Sequence, residues 1–358
     1  MAVVAEIPLS QFLEEAGAYR HRTPLEGTLE TTFRCNLSCV HCYVNQPAGD
    51  AAERARELPL ARLLRLVDEI AAEGGLDLLL TGGEVLLRPD FPELYLHAVR
   101  AGLRVTVFTN GTLVTDRVAE LFAEFHPACV EITLYGMTRE TYERVTRVPG
   151  SYERCLEGIR KLQARGVPLK LKTMVLTWNA DEVADMRRFA EGLGVDFRHD
   201  SLLNPRVDCG ANRNPELQVG AERAVAIDLL DPALRASYEQ SYRAAVAAGP
   251  EASEEVYTCG AGQMGFTVDP YGRLQLCQLS RRASFDLRRE SFARGWHEFL
   301  PEARSRRWQQ DAVCRRCSLR SLTAPLRCRL PACSSLRSSQ DACPEPCSRQ
   351  CDRDHQVL

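Results

Sequence analysis

The chain has 358 residues, with 45 Lys and Arg against 48 Asp and Glu and a formal charge of −3. That length allows two or three domains with sizeable cores. No apolar run reaches the ~20 residues that cross a bilayer, and no basic stripe interleaves with aromatics as a nucleic-acid groove requires. Fifteen cysteines, on a chain that opens without a charged n-region and apolar h-region, point to metal ligation in a reducing cytoplasm and not to disulfides.

Residues 1–27 form a lead-in with one amphipathic piece, Leu9 to Ala18, and a proline before the first strand. From residue 28 to about 215 the apolar period alternates between two and 3.6. Strand patterns fall at Leu29–Phe33, Leu76–Leu80, Arg104–Thr109, Val130–Tyr135, Leu169–Leu176 and Val195–His199. Helical faces run through Leu60, Leu63, Leu64, Val67, Ile70 and Ala71, through Val114, Val118, Leu121, Phe122 and Phe125, through Cys155, Ile159 and Leu162, and through Val183, Met186 and Phe189. Six strands alternating with helices predict an α/β fold, a partial (β/α)6 barrel of the TIM type with parallel strands. Loops after the strands then gather at their carboxyl ends, where such folds bind ligands. An alanine-rich helical bridge is expected over 216–256, and a small cysteine-rich domain over 257–351.

Directly after the first strand stands Cys35-Asn-Leu-Ser-Cys39-Val-His-Cys42. Three thiolates on one short loop can hold three corners of a cubane iron–sulfur cluster and leave the fourth iron open to a small ligand. Zinc would prefer two ligand pairs closing a tetrahedron, and a disulfide would strand one thiol. The second strand ends in Thr81-Gly82-Gly83-Glu84, the third in Phe108-Thr109-Asn110-Gly111, and the fourth reads Glu131-Ile-Thr133-Leu-Tyr135-Gly136. Taken singly these are turn signals.

Together they resemble the signature of radical S-adenosylmethionine (SAM) enzymes. The resemblance implies that Cys35, Cys39 and Cys42 ligate a [4Fe–4S] cluster whose open iron chelates SAM. It further implies that Gly82, Gly83 and Glu84 meet the SAM amino group, that Asn110 binds the cofactor where its turn closes the barrel mouth, and that Thr133 and Arg144 approach the ribose and carboxylate. Arg144 has the alternative of pairing with a neighbouring Glu on a helix surface. Lys170 and Lys172 share one strand face, and Lys172 is a polar contact for a ligand if that face is the barrel interior. Cys129 and Cys155 read as core positions, and Cys209 as a small buried hydrophobe or a redox-active thiol. The sequence names no catalytic acid or base.

Cys259, Cys277, Cys314 and Cys317 resemble the SPASM extension of these enzymes, which carries one or two auxiliary clusters. Asp269-Pro-Tyr-Gly272 predicts a hairpin between the first two. After Leu322 the pattern departs from the family: Cys328, Cys333, Cys343, Cys347 and Cys351 are numerous enough for a further cluster but differently spaced. Either the ligand set is rearranged or the tail has left the family's reading frame. The resemblance implies a maturase that cleaves SAM reductively and crosslinks or oxidises a ribosomally made precursor peptide, fed by a donor such as flavodoxin or ferredoxin. With a lead-in too short for a leader-binding domain, a separate leader-peptide-binding protein is expected. The alternatives are a SPASM enzyme acting on a small molecule such as a porphyrin precursor or a sugar, or a non-catalytic cluster carrier.

Overall fold

A computed structural model describes residues 22–44, 46–204, 206–207, 215–248, 255–257 and 259–307. Cys209, Cys314, Cys317, Cys328, Cys333, Cys343, Cys347 and Cys351 lie outside the described residues.

Six strands follow the predicted pattern: β1 (Glu26–Thr32), β2 (Asp77–Gly82), β3 (Arg104–Thr109), β4 (Cys129–Thr133), β5 (Leu169–Met174) and β6 (Asp196–Asp200). They pair in parallel in chain order. This sequential order, with no switch point, is that of a barrel and not of a doubly wound sheet. The intervening helices are α1 (Ala51–Arg56), α2 (Leu60–Ala72), α3 (Phe91–Arg100), α4 (Asp116–Glu124), α5 (Arg139–Thr146), α6 (Ser151–Gln163) and α7 (Val183–Gly192). Asp50, Thr115 and Thr138 cap α1, α4 and α5 by accepting from the backbone N–H three residues on.

Alternation along the strands divides the sheet's two faces. Leu29, Leu78, Leu80, Val105, Val107, Val130, Ile132 and Leu171 join one continuous core with the buried stripes of α2, α3, α4, α6 and α7. The other face is polar: Glu30, Thr81, Thr267 and Gln275 are buried there, and Phe108, Glu131, Thr133 and Lys172 are half-buried. Such a face, open at the strands' carboxyl ends, is suited to a polar ligand and not to a helix.

Beyond β1 the sheet continues into the C-terminal cysteine region. β7 (Gly265–Val268) pairs in parallel with β1, and β8 (Arg273–Gln275) and β9 (Phe285–Asp286) follow antiparallel, giving the order β9-β8-β7-β1-β2-β3-β4-β5-β6. The turn between β7 and β8 is the expected one: Asp269 Oδ1 accepts from Tyr271 N and Arg273 N, both at 2.9 Å, and Gly272 takes φ +80°. The pairing with β7 also explains why β1 begins at Glu26, three residues before the predicted start. β4 ends at Thr133, short of the predicted Tyr135. Phe266 of β7 packs on Phe292 and Trp296, and a Cβ on Gly27 would stand 2.6 Å from its ring. The bridge is two helices, α8 (Ala221–Asp228) and α9 (Pro232–Ala248), because Asp231 caps the second by accepting from Ala233 N and Leu234 N.

Candidate active site

The cysteine loop leaves β1 at Thr32 and is closed at its base by a two-residue parallel pairing of Arg34–Cys35 with Gln46–Pro47. An ionic clamp fixes that base. Glu57, its side chain 6% exposed, receives Arg34 Nε at 2.8 Å and Nη2 at 3.1 Å, the Thr32 hydroxyl, and Arg88 Nη1 at 3.5 Å. Arg88 also donates to Thr31 O at 3.1 Å and Leu58 O at 3.3 Å. Asp90 takes Arg88 Nε and Nη2, each at 2.8 Å, so two cations face two carboxylates and no buried charge is left uncompensated. The far side of the loop rests on the last turn of α5, where Thr146 O and Val145 O accept from Ser38 N and Val40 N, each at 3.0 Å.

Two glycines bring the end of β2 against this loop. A Cβ on Gly82, whose φ is +136°, would lie 2.1 Å from Thr32 O, and one on Gly83 would lie 2.3 Å from Arg34 O. In their place Gly83 N donates to Thr32 O at 2.6 Å and Glu84 N to Arg34 O at 3.0 Å. The glycines therefore serve backbone-to-backbone approach as well as any ligand. Glu84 is fully buried. Its Oε1 accepts from Thr109 Oγ1 at 2.7 Å and Leu86 N at 3.1 Å, and its Oε2 from Asn110 N at 2.7 Å. With three of about four acceptor sites filled by the chain, its carboxylate has capacity for one further donor. Burial raises its pKa.

Asn110, held in this way, turns its side chain to the cysteines. Its Nδ2 reaches Asn36 Oδ1 at 2.9 Å and Cys35 Sγ at 3.7 Å, and its Oδ1 accepts from Thr112 N at 2.9 Å and Thr112 Oγ1 at 2.6 Å. Tyr135, just beyond β4, lies beside Cys39. Its ring packs edge-on against His41 with centroids 5.1 Å apart. His41 Nδ1 is buried without a hydrogen-bond partner, and burial lowers its pKa to about 4.

The three thiols feel one another. Burial first, then the Glu84 carboxylate, pushes Cys35 up to about 12. Burial and the charges of Cys42 and Cys35 push the Cys39 thiol well above the usual thiol range. Among the described residues no three His, Cys, Asp or Glu side chains gather around a point as one metal ion would need. A cubane presents three separate irons, so thiols that are neighbours without converging fit it better than they fit zinc. Sulfur donors, with Cys35 accepting from Leu37 N at 3.4 Å and Asn110 Nδ2 at 3.7 Å, suit a [4Fe–4S] cluster.

The structure thus brings Cys35, Cys39, Cys42, Gly82, Gly83, Glu84 and Asn110 into one net. Thr133 ends β4 half-buried on the polar face, in register with Lys172. Arg144 is exposed on α5, its guanidinium 4.0 Å over the Trp178 ring; it is the carbonyls of the next two residues that meet the loop. Lys172 does lie on the polar face, 3.4 Å from Glu131 Oε2, which also takes Arg198 Nη2 at 2.6 Å. Burial lowers the Lys172 pKa well below the usual lysine range. Cys259 and Cys277 are both half-buried, and burial, with Cys259 contributing, raises the Cys277 thiol. Cys155 is core, as predicted. A cleft of about 510 Å³ opens at the other end of the sheet, beside Cys129 and Lys170, away from the cysteine loop. The Glu57 clamp, Tyr135 and the α5 carbonyls had no sequence signal, since each acts through chain distant in sequence.

Residues 29–190 match the family model described as the radical SAM superfamily. Among curated proteins, the AdoMet-dependent heme synthase of Methanosarcina barkeri is 35% identical over 176 residues, 49% of this chain and 50% of that protein. The sporulation killing factor maturation protein SkfB of Bacillus subtilis is 32% identical over 178 residues, 50% and 42% respectively. The chain spans half or less of the length of these relatives. Among solved structures, Streptococcus suis SuiB bound to S-adenosylmethionine superposes with a TM-score of 0.66 over 90% of this chain and 78% of that one, at 14% identity, a likeness of fold. The chain therefore carries a radical SAM domain, built by residues 29–190 on a partial TIM-type barrel.

Proposed function

We propose that this protein is an enzyme that cleaves SAM reductively and oxidises or crosslinks a ribosomally synthesised peptide. The observation that carries the reading is the net joining three closely spaced thiols to Gly82–Glu84 and Asn110 at the carboxyl ends of the parallel strands. Cys35, Cys39 and Cys42 would hold the [4Fe–4S] cluster. When bound, the cluster and SAM supply one-electron cleavage of the sulfonium and a 5'-deoxyadenosyl radical able to take hydrogen from a C–H bond. The chain's own part is to fix and shield. The Glu57 clamp and the α5 carbonyls hold the loop, Gly82–Glu84 and Thr133 would meet SAM, and the polar sheet face would receive the substrate. Cys259 and Cys277, with Cys314 and Cys317 and any of Cys328, Cys333, Cys343, Cys347 and Cys351, would hold one or two auxiliary clusters. A peptide substrate is supported by likeness to SkfB, a maturation protein, and to SuiB, whose structure is also solved with the precursor peptide SuiA.

A second reading, a small-molecule substrate such as a porphyrin precursor, is favoured by the 35% identity to a heme synthase. Among the described residues no helix is long and apolar enough to cross a membrane. A cytoplasmic setting supplied by a flavodoxin or ferredoxin, with a separate leader-binding protein, completes the proposal. Anaerobic reconstitution followed by SAM and dithionite tests it. The expected result is 5'-deoxyadenosine from the wild type and none after Cys35, Cys39 and Cys42 are replaced together by serine. No 5'-deoxyadenosine from iron-loaded wild type would sink the enzyme readings. A co-expressed precursor peptide that loses two hydrogens would select the peptide reading over the small-molecule one.

A further inference from the structure

Two polar side chains approach the loop thiols, and they come from the loops after different strands. Asn110, after β3, offers Nδ2 to Cys35 Sγ at 3.7 Å. Tyr135, after β4, packs its ring on His41 of the same loop, which brings its hydroxyl beside Cys39. Neither is loosely held. The Asn110 amide is fixed at both ends, by Thr112 on its oxygen and Asn36 on its nitrogen, and its backbone N–H is tied to the fully buried Glu84. The Tyr135 ring is wedged between His41 and Tyr142, with centroids at 5.1 and 5.9 Å, and its carbonyl accepts from Asn179 Nδ2 at 3.1 Å. An amide or hydroxyl donor on a ligating sulfur draws electron density from the metal and favours the more negative, reduced form.

We infer that Asn110 and Tyr135 are positioning residues that set the reduction potential of the cluster held by Cys35, Cys39 and Cys42, holding it more positive than the thiolates alone would. The inference rests on the cluster reading above. It gives Asn110 a role toward sulfur in place of a contact with SAM, and gives Tyr135 its first role. Glu84 opposes them: a buried carboxylate beside Cys35 favours the oxidised cluster, and the Asn110 backbone and Thr109 hydroxyl blunt that effect by bonding both of its oxygens.

The test is an anaerobic redox titration of full-length, reconstituted protein. It follows by electron paramagnetic resonance the reduced-cluster signal that changes when SAM is added. Tyr135→Phe keeps the ring and removes only the donor; Asn110→Ala removes the other. At iron and sulfide content equal to wild type, each variant should titrate at a more negative potential, and the double variant at a more negative one still. Reduced wild type should also show a coupled proton that exchanges in D2O and is missing in Tyr135→Phe. Unchanged midpoints in both variants with full clusters would overturn the inference and leave the cluster reading standing. A wild type that takes up no iron would overturn the cluster reading itself.

Discussion

Gly83 shows how a motif that looks like a ligand contact first obeys a steric rule. Its missing side chain is required by Arg34 O, 2.3 Å from where a Cβ would stand, and that carbonyl belongs to the strand pair that closes the cysteine loop. Gly83→Ala should therefore cost roughly 2 kcal/mol or more and lower iron retention, read as a fall in melting temperature and as bound iron per chain after gel filtration. Gly49→Ala, where nothing lies within 4 Å of the added methyl, should leave both unchanged. At this scale the sequence was informative because residue type and spacing carry the chemistry: three thiols on a short loop, two glycines before a glutamate. It was silent about Glu57, whose importance comes from two arginines that reach it from 23 and 31 residues away. A lone glutamate at the end of a short helix has nothing in its own neighbourhood to mark it.

The six strands and the helical stripes of α2, α4, α6 and α7 could be read from periodicity, since each buries one face against the same sheet. α3 carries an equally regular stripe, Phe91, Leu94, Tyr95 and Ala98, all buried. Its start at Asp90–Phe91–Pro92 carries a proline and comes three residues after the Val85–Leu87 turn, so that stretch reads equally well as loop. The role of α5 was legible only as a helix, because its work is done by main-chain carbonyls at its end. That end is anchored by a small apolar cluster of Val145, Leu176, Leu203 and Leu217, against which Val40 of the cysteine loop packs. Val145→Ala should cost roughly 2 kcal/mol and, by loosening the carbonyls under Ser38 and Val40, speed iron loss to a chelator. Thermal denaturation and the chelation rate are the two readouts, and a stability loss without faster iron loss would separate α5 from the loop it is argued to hold.

Across the whole molecule the two cysteine regions share one piece of sheet and one buried ion pair. Glu30 of β1, with no exposed surface, is gripped through both oxygens at 2.7 Å by Arg281, four residues after Cys277, and Tyr43 beside Cys42 faces the same carboxylate. Arg281→Met would leave that carboxylate buried without its cation and should cost about 3–5 kcal/mol. The loss should reach the Cys35–Cys42 loop as well as the Cys259–Cys277 pair, visible as altered spectra of both sets of clusters. No local pattern could announce a contact spanning 251 residues, and the predicted hairpin was read as a unit of its own for the same reason. Because β7 runs alongside β1, the C-terminal ribbon is not a cassette that can be clipped off or exchanged between relatives. A barrel fragment ending after β6 would lay bare the hydrogen-bonding rim of β1, a template for any other extended chain, and should precipitate where the intact protein stays dispersed.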